Sequence, residues 1–334
     1  MKRIVILAAL LLSVAGVSQA QDRANWTILH YTAVDNNLEG AAFNDYYEMQ
    51  TVGSGEGVNI VVQFDRAEGF DTRFGDWTDT RRFYIEQAPP LPELDVNGKR
   101  EALVNYFVEA GYGEADSLRA EVAGLDDAAV ISIYENNNVG VTFEQTPVSE
   151  PGEVDMGDPQ SLVDFITWGA ANYPAERYMI VIGSHGGGWR GIGPDEGDNQ
   201  KSMLELPEID AALAEARAQL GIGKFDIVGF DACFMGLTEV AATLESSAEY
   251  VLFSQEVIPS NGWEYNESIA AMKANPDWDA FQVGAAFIDN YMAYYAGEGA
   301  RTKVGLSLVE TAGLPNLLGS LENFAHVGEA ETGE

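Results

Sequence analysis

The sequence predicts an α/β fold, a three-layer sandwich in which a mostly parallel central sheet is flanked by helices. Three observations carry this. Apolar runs of five to nine residues recur along the chain with almost no polar alternation, the mark of strands covered on both faces. Segments of helical periodicity separate them, as parallel crossovers require. With 334 residues, 46% of them hydrophobic, the chain can bury a large core.

The elements follow in order. Residues 26–34 (WTILHYTAV) read as the first buried strand and 38–49 as a helix. Residues 58–64 (VNIVVQF) and 80–85 supply two more strands. Residues 87–152 fit the alternation poorly. They open with Pro89, Pro90 and Pro92, and suggest an insertion with a helical pair and a hairpin around Asn136-Asn137-Asn138. Asp158-Pro159 starts a helix to about residue 172, with Asp as N-cap and Pro at the first helical position. Residues 178–184 (YMIVIGS) are a strand, 206–220 an Ala/Glu-rich helix, 225–230 (FDIVGF) a strand and 236–244 a helix. A strand at 250–254, a long helix at 277–296, a strand at 304–310 and a helix at 314–324 complete the pattern. Neither a repeat nor a low-complexity linker divides the chain, so residues 21–334 are read as one domain.

Residues 1–20 read as a secretory signal peptide: Lys2 and Arg3, an apolar stretch at 4–14, then Ser18-Gln19-Ala20 as a cleavage site. Export to the periplasm or the medium is therefore expected. Eighteen basic against 53 acidic residues give a net charge of -35. Such a surface repels phosphate backbones and anionic lipid, which argues against nucleic-acid and membrane partners. A single cysteine and three histidines leave no disulfide framework and no cysteine- or histidine-rich metal site.

Sites in open parallel sheets form at the carboxyl ends of strands. Two strands end in loaded loops, Gly183-Ser184-His185-Gly186-Gly187-Gly188-Trp189 and Asp231-Ala232-Cys233-Phe234-Met235-Gly236. The only cysteine and one histidine thus follow buried strands 48 positions apart. Either alone reads as an ordinary core or loop residue. Together with a glycine run they suggest nucleophilic catalysis, with the thiolate favoured by a nearby imidazolium and by a following helix N-terminus. The N–H groups of Gly186 and Cys233 are candidates for an oxyanion hole. His30 reads as a strand residue and His326 as a surface one.

At these residues the sequence resembles the clostripain family of cysteine peptidases, which is related to caspases, legumains and gingipains. A histidine about 50 residues before the cysteine is the caspase spacing. The resemblance extends over Trp26 to Tyr31, Asp35-Asn36-Asn37-Leu38-Glu39, Asp155 to Gln160, Tyr178 to Trp189, Gly229 to Met235 with Glu239 to Ala241, and Ser254-Gln255-Glu256 through Tyr265. It implies a caspase-like fold and an endopeptidase that cleaves after Arg or Lys. Cys233 would be the nucleophile and His185 the general acid/base. Asp231 matches the family's carboxylate at the P1-binding pocket, with Glu256 as a candidate second acid there. Some members cut themselves between the two strands, and Lys201 is the basic residue of that loop here; processing there would leave two associated chains, and the uncut form a monomer. Some depend on calcium, for which Asp195, Glu196 and Asp198 are the candidate ligands; no cofactor is otherwise required. Partners would be proteins or peptides with exposed Arg or Lys.

Two other readings stand beside it. One is a non-catalytic binding or scaffold protein of the same fold. The other is an α/β-hydrolase esterase, since His185-Gly-Gly-Gly resembles its oxyanion loop. The nucleophile elbow of that fold is absent, because Asp231 and Met235 rather than glycines flank Cys233.

Overall fold

The computed structural model describes residues 23–140, 145–195, 202–297 and 303–332. The first run singled out above becomes β1 (Ala24–Val34), followed by α1 (Glu39–Val52), β2 (Val58–Arg66) and β3 (Thr80–Tyr84). Three helices come next, α2 (Val96–Glu109), α3 (Ala115–Ala123) and α4 (Asp127–Asn136), and then a short strand, β4 (Ser149–Gly152). The chain continues through α5 (Pro159–Asn172), β5 (Ala175–Gly183), the ribbon β6 (Ile192–Asp195) and β7 (Ser202–Leu204), α6 (Leu206–Leu220) and β8 (Phe225–Asp231). It closes with α7 (Thr238–Thr243), β9 (Ala248–Phe253), α8 (Tyr265–Ala274), α9 (Ala280–Gly297), β10 (Ser307–Glu310) and α10 (Leu314–Thr332).

The main sheet has the order β10-β9-β8-β5-β1-β2-β3-β4. Its five central strands, β9 to β2, are parallel; β10 and β3 run against them at the two sides, and β4 pairs antiparallel with β3 at the edge. Each central strand feeds both faces. In β1, Leu29 and Tyr31 enter the core under α5, α6 and α7, while Trp26 and Ile28 enter the core under α1, α8 and α9. The expected three-layer sandwich is therefore the fold, and the continuous apolar runs arise because no face of these strands meets water.

Local signals act where the sequence places them. Asp158 accepts the Gln160 N–H at the start of α5, with Pro159 in its first turn. Glu205 and Glu208 form a capping box on α6, and Gly221 ends it at a left-handed φ of 68°.

Two expectations are corrected. The described residues of 87–152 hold three helices, not a pair, with their own small core that includes Leu103, Val104, Leu118, Val122, Val130 and Tyr134. The hairpin expected at Asn136 does not form, because α4 runs through that residue and Asn138 turns out of it with a positive φ of 50°. Tyr265–Ala274 is a helix where no element was expected. Its buried face is Tyr265, Ser268, Ile269 and Met272, too short and too polar for the apolar period to show. The expected signal peptide, residues 1–20, lies outside the described residues. Among those described, no helix is long and apolar enough to cross a membrane.

A buried ion pair fixes α1 against β2. Arg66 and Glu39 are fully buried and bonded at 2.5 Å, and the guanidinium also lies over the rings of Phe43 and Trp77. Burial raises the Glu39 carboxyl to about 7, with Arg66 opposing the shift. Removing one partner strands the other's charge in the core. Arg66→Ala is therefore expected to lower the unfolding free energy by about 3–5 kcal/mol, read by urea denaturation. Arg66→Met combined with Glu39→Leu should recover much of that loss.

Candidate active site

β5 and β8 are neighbours in register, with Ile182 opposite Phe230 and Gly183 opposite Asp231. Their loops therefore leave the sheet side by side, next to the end of β1. The two predicted residues converge there: His185 and Cys233 line one cavity of about 330 Å³. Both are half-buried, so each is held by the fold yet reachable from solvent.

The glycine run is needed for this approach. A Cβ on Gly186 would lie 2.0 Å from the Cys233 carbonyl oxygen and 2.7 Å from its nitrogen. The histidine loop thus packs backbone against backbone on the cysteine loop, which only glycine permits. Among the described residues, neither the Gly186 nor the Cys233 N–H has a hydrogen-bond partner, so both are available as donors. Immediately after Cys233, Phe234 takes a left-handed φ of 60°, uncommon for an aromatic residue. Its N–H donates to the Glu256 carbonyl at 3.1 Å, and the Gly236 N–H to that of Ser254 at 2.7 Å. These bonds hold the turn that carries the cysteine.

The helix expected from residue 236 instead begins at Thr238 and is six residues long. Cys233 lies outside its first turn, so the helix N-terminus does not serve the thiol. The imidazole remains. His185 Nε2 lies 2.9 Å from Asn37 Oδ1. An amide oxygen only accepts, so Nε2 carries the proton and donates it, which makes Nδ1 the basic nitrogen of the neutral ring. The Asn37 amide is the orienting group here, and sequence reasoning gave it no role.

Asp231, the last residue of β8, forms part of the cavity floor and is 7% exposed. Its Oδ2 accepts the Trp263 N–H at 3.0 Å and the Tyr265 hydroxyl at 2.9 Å. Burial raises its carboxyl to about 6, against those two donors. Since Tyr265 gives its proton to Asp231, its oxygen accepts from His30 Nε2 at 2.9 Å, and His30 Nδ1 then accepts from the Thr32 hydroxyl at 2.7 Å. Burial holds His30 near 3, so this ring stays neutral. His30 is thus more than a strand residue: it aims the tyrosine that anchors Asp231. Its signal was an ionisable ring in a buried strand whose other side chains are apolar, hydroxyl or amide groups.

Glu256 does not reach the cavity. Its side chain is exposed, and only its backbone carbonyl supports the cysteine turn. A second acid is present, but it is Asp45 from α1. Among the calcium candidates, Asp195 ends β6, while Glu196 and Asp198 lie outside the described residues, as does Lys201. The described residues bring another set of carboxylate oxygens within 4.8 Å of one another, those of Asp35, Asp65 and Glu153.

Comparison with known proteins identifies the family and the fold. The model of the Clostripain family matches residues 30–330. Clostripain from Hathewaya histolytica is 28% identical over 271 residues, covering 74% of this chain and 42% of that protein. The chain thus spans less than half the length of that curated relative. Among solved structures, a secreted C11 cysteine protease from Bacteroides thetaiotaomicron, "iotapain", superposes with a TM-score of 0.60 at 14% identity, over 91% of this chain and 71% of that one. An inactive zymogen C11 protease from Parabacteroides distasonis gives 0.56 at 19% identity, over 88% and 64%. At these identities the structures speak for the fold.

The Asn37 bond has a measurable consequence. Asn37→Ala removes one orienting hydrogen bond and leaves the cavity intact. A loss of roughly tenfold in kcat, with KM nearly unchanged, is expected from steady-state kinetics.

Proposed function

The chain belongs to the clostripain family, and from that premise we propose that it is an exported cysteine endopeptidase that cleaves after Arg or Lys. One observation carries the reading. A thiol, an imidazole with an orienting partner and a buried carboxylate face a single cavity at the ends of β5 and β8. The apolar walls, with Leu38, Ala42 and Ile258, suit the methylene stem of a long basic side chain. Asp231 at the floor suits its charge.

The chemistry follows from the placement. The Cys233 thiol gives its proton to His185 Nδ1, and the thiolate attacks the carbonyl carbon of the scissile bond. The oxyanion takes the Gly186 and Cys233 N–H groups, an interaction commonly worth about 3 kcal/mol in the transition state. The C–N bond breaks as the imidazolium protonates the departing amine, leaving a thioacyl-enzyme. Water, deprotonated by the neutral imidazole, then attacks the thioester. The acid product leaves and the thiol is restored. Asn37 keeps Nε2 protonated throughout, so Nδ1 does all of the proton transfer.

Two further expectations belong to this reading. Cleavage after Lys201 would separate the histidine and cysteine strands into two chains that stay together. They would, because β5 and β8 are adjacent in the same sheet. Calcium, if bound by the acidic segment beside it, would act on that loop.

The test is a fluorogenic panel with Arg, Lys, Asp, Asn and Leu at P1, with and without calcium, on wild type and Cys233→Ala. Turnover confined to Arg and Lys and abolished in the variant is expected. Absence of turnover on every substrate, after incubation long enough for processing, would overturn the assignment in favour of a binding protein of the same fold.

A further inference from the structure

A second cavity, of about 300 Å³, adjoins the one that holds His185 and Cys233. The two share a wall, since Leu38, Ala41 and Ser260 line both. Asn37, whose side chain holds His185, also lines the second cavity. The far side comes from the helical segment between β3 and β4: Tyr106 and Phe107 of α2, and Tyr112 just beyond it. These rings meet edge to face, Tyr106 with Phe107 at 5.5 Å and Phe107 with Tyr112 at 5.6 Å. Phe70, from the connection between β2 and β3, adds another ring. Tyr112 is 73% exposed and Phe70 41%, so aromatic surface beside the cavity is left uncovered.

The walls are fixed by their own bonds. The Thr72 hydroxyl donates to the Glu109 carbonyl at 2.8 Å, which ties the β2–β3 connection to the end of α2. Arg73 is paired with Asp71 and lies over the Tyr106 ring at 4.4 Å. A Cβ on Gly40 would stand 3.0 Å from Asp71 Oδ2, so the bare backbone at the start of α1 lets that connection come close. One polar group is left over. Asn44 of α1 lines the cavity and is 6% exposed, yet its Oδ1 has no hydrogen-bond partner. Burying an amide oxygen in this way costs stability, and a ligand that brings a donor relieves the cost.

We propose that this cavity is a second specificity subsite, which takes an aromatic side chain of the substrate from a position flanking P1, tyrosine before phenylalanine. The inference rests on the peptidase reading and deepens it. Continuity of the two cavities supplies the occupant: a peptide held across Cys233 continues past the shared wall of Leu38, Ala41 and Ser260. The rings of Phe70, Phe107 and Tyr112 suit a flat apolar side chain. Arg73 and Asp71 neutralise each other, so a charged side chain gains no counter-charge there. Asn44 then selects among aromatic residues. A phenolic hydroxyl can donate to its Oδ1, whereas a phenylalanine ring leaves that oxygen unmet.

The experiment reads a ratio. Peptides with Arg or Lys at P1 carry Tyr, Phe, Leu, Ala, Lys or Glu at each flanking position in turn, and cleavage is followed by mass spectrometry. At one flanking position Tyr should raise kcat/KM roughly tenfold or more over Ala. Phe should fall between them, and Lys and Glu should do no better than Ala. Tyr112→Ala, a change at an exposed side chain, should collapse the Tyr-over-Ala ratio. Asn44→Leu should collapse the Tyr-over-Phe ratio and keep the preference of rings over Ala. A merely structural role for either residue would lower turnover of all the peptides together and leave the ratios alone.

A binding measurement keeps the inference separate from the assignment of activity. Dye-labelled peptides of the same set, with Tyr or Ala at each flanking position, are titrated by fluorescence anisotropy into the full-length Cys233→Ala protein. One Tyr peptide should bind roughly tenfold more tightly than its Ala counterpart, and adding Tyr112→Ala should remove that advantage. If no flanking position favours an aromatic side chain, or if the Tyr-over-Ala ratio survives in a folded Tyr112→Ala protein, the inference is overturned. Failure of wild type to cleave any of the peptides, with the Tyr-dependent binding intact, would instead overturn the peptidase reading and leave the aromatic subsite standing.

Discussion

Parallel pairing of β5 with β8 is the constraint on which the site depends. It places Gly183 beside Asp231 and lets two loops, otherwise 48 residues apart at their histidine and cysteine, leave the sheet together. The Gly186 backbone then packs directly on that of Cys233. This contact brings two N–H donors into one neighbourhood without any side chain to separate them. Register errors between these strands would displace the loops by about 3.3 Å per residue, more than a hydrogen bond tolerates. The large cores on both faces of the sheet hold the register, so the geometry of the candidate site is inherited from the most buried part of the molecule.

The opposite wall of the cavity is built differently. α1 supplies Asp45, and the turn before it supplies Asn37. Both positions depend on how α1 lies on β2, which the Arg66–Glu39 pair and the aromatic rings around it fix. A buried ion pair is a poor source of stability but a good source of orientation. Here that orientation sets the distance between an acid on a helix and an acid at a strand end. The arrangement holds several buried carboxylates beside one another, Asp231 and Glu48 among them.

Much of this was legible beforehand for identifiable reasons. Strands buried on both faces leave unbroken apolar runs, and β1, β2, β5, β8 and β9 all show them. The α5 and α6 boundaries are written in side chains that cap their own helices. Cys233, His185 and Asp231 stand out because each follows or ends such a run. The misreadings have causes too. α8 buries serine and tyrosine, which hides its period. The helix after Cys233 starts late because Phe234 and Gly236 are bonded to the strand-end loop of β9 instead. Glu256 is close to the site in backbone only, and a sequence does not say which way a loop side chain points.

The sequence by itself determined the layer architecture, the strand ends that carry chemistry and the family resemblance, because those follow from local periodicity and short spacings. Only the tertiary structure decided the partners. Asn37 with His185, His30 with Tyr265, and Tyr265 with Asp231 join residues 148, 235 and 34 positions apart in sequence. No local pattern encodes such pairs. They arise because a parallel sheet returns distant strand ends to one edge, where burial then forces each polar group to find a partner or wait for one.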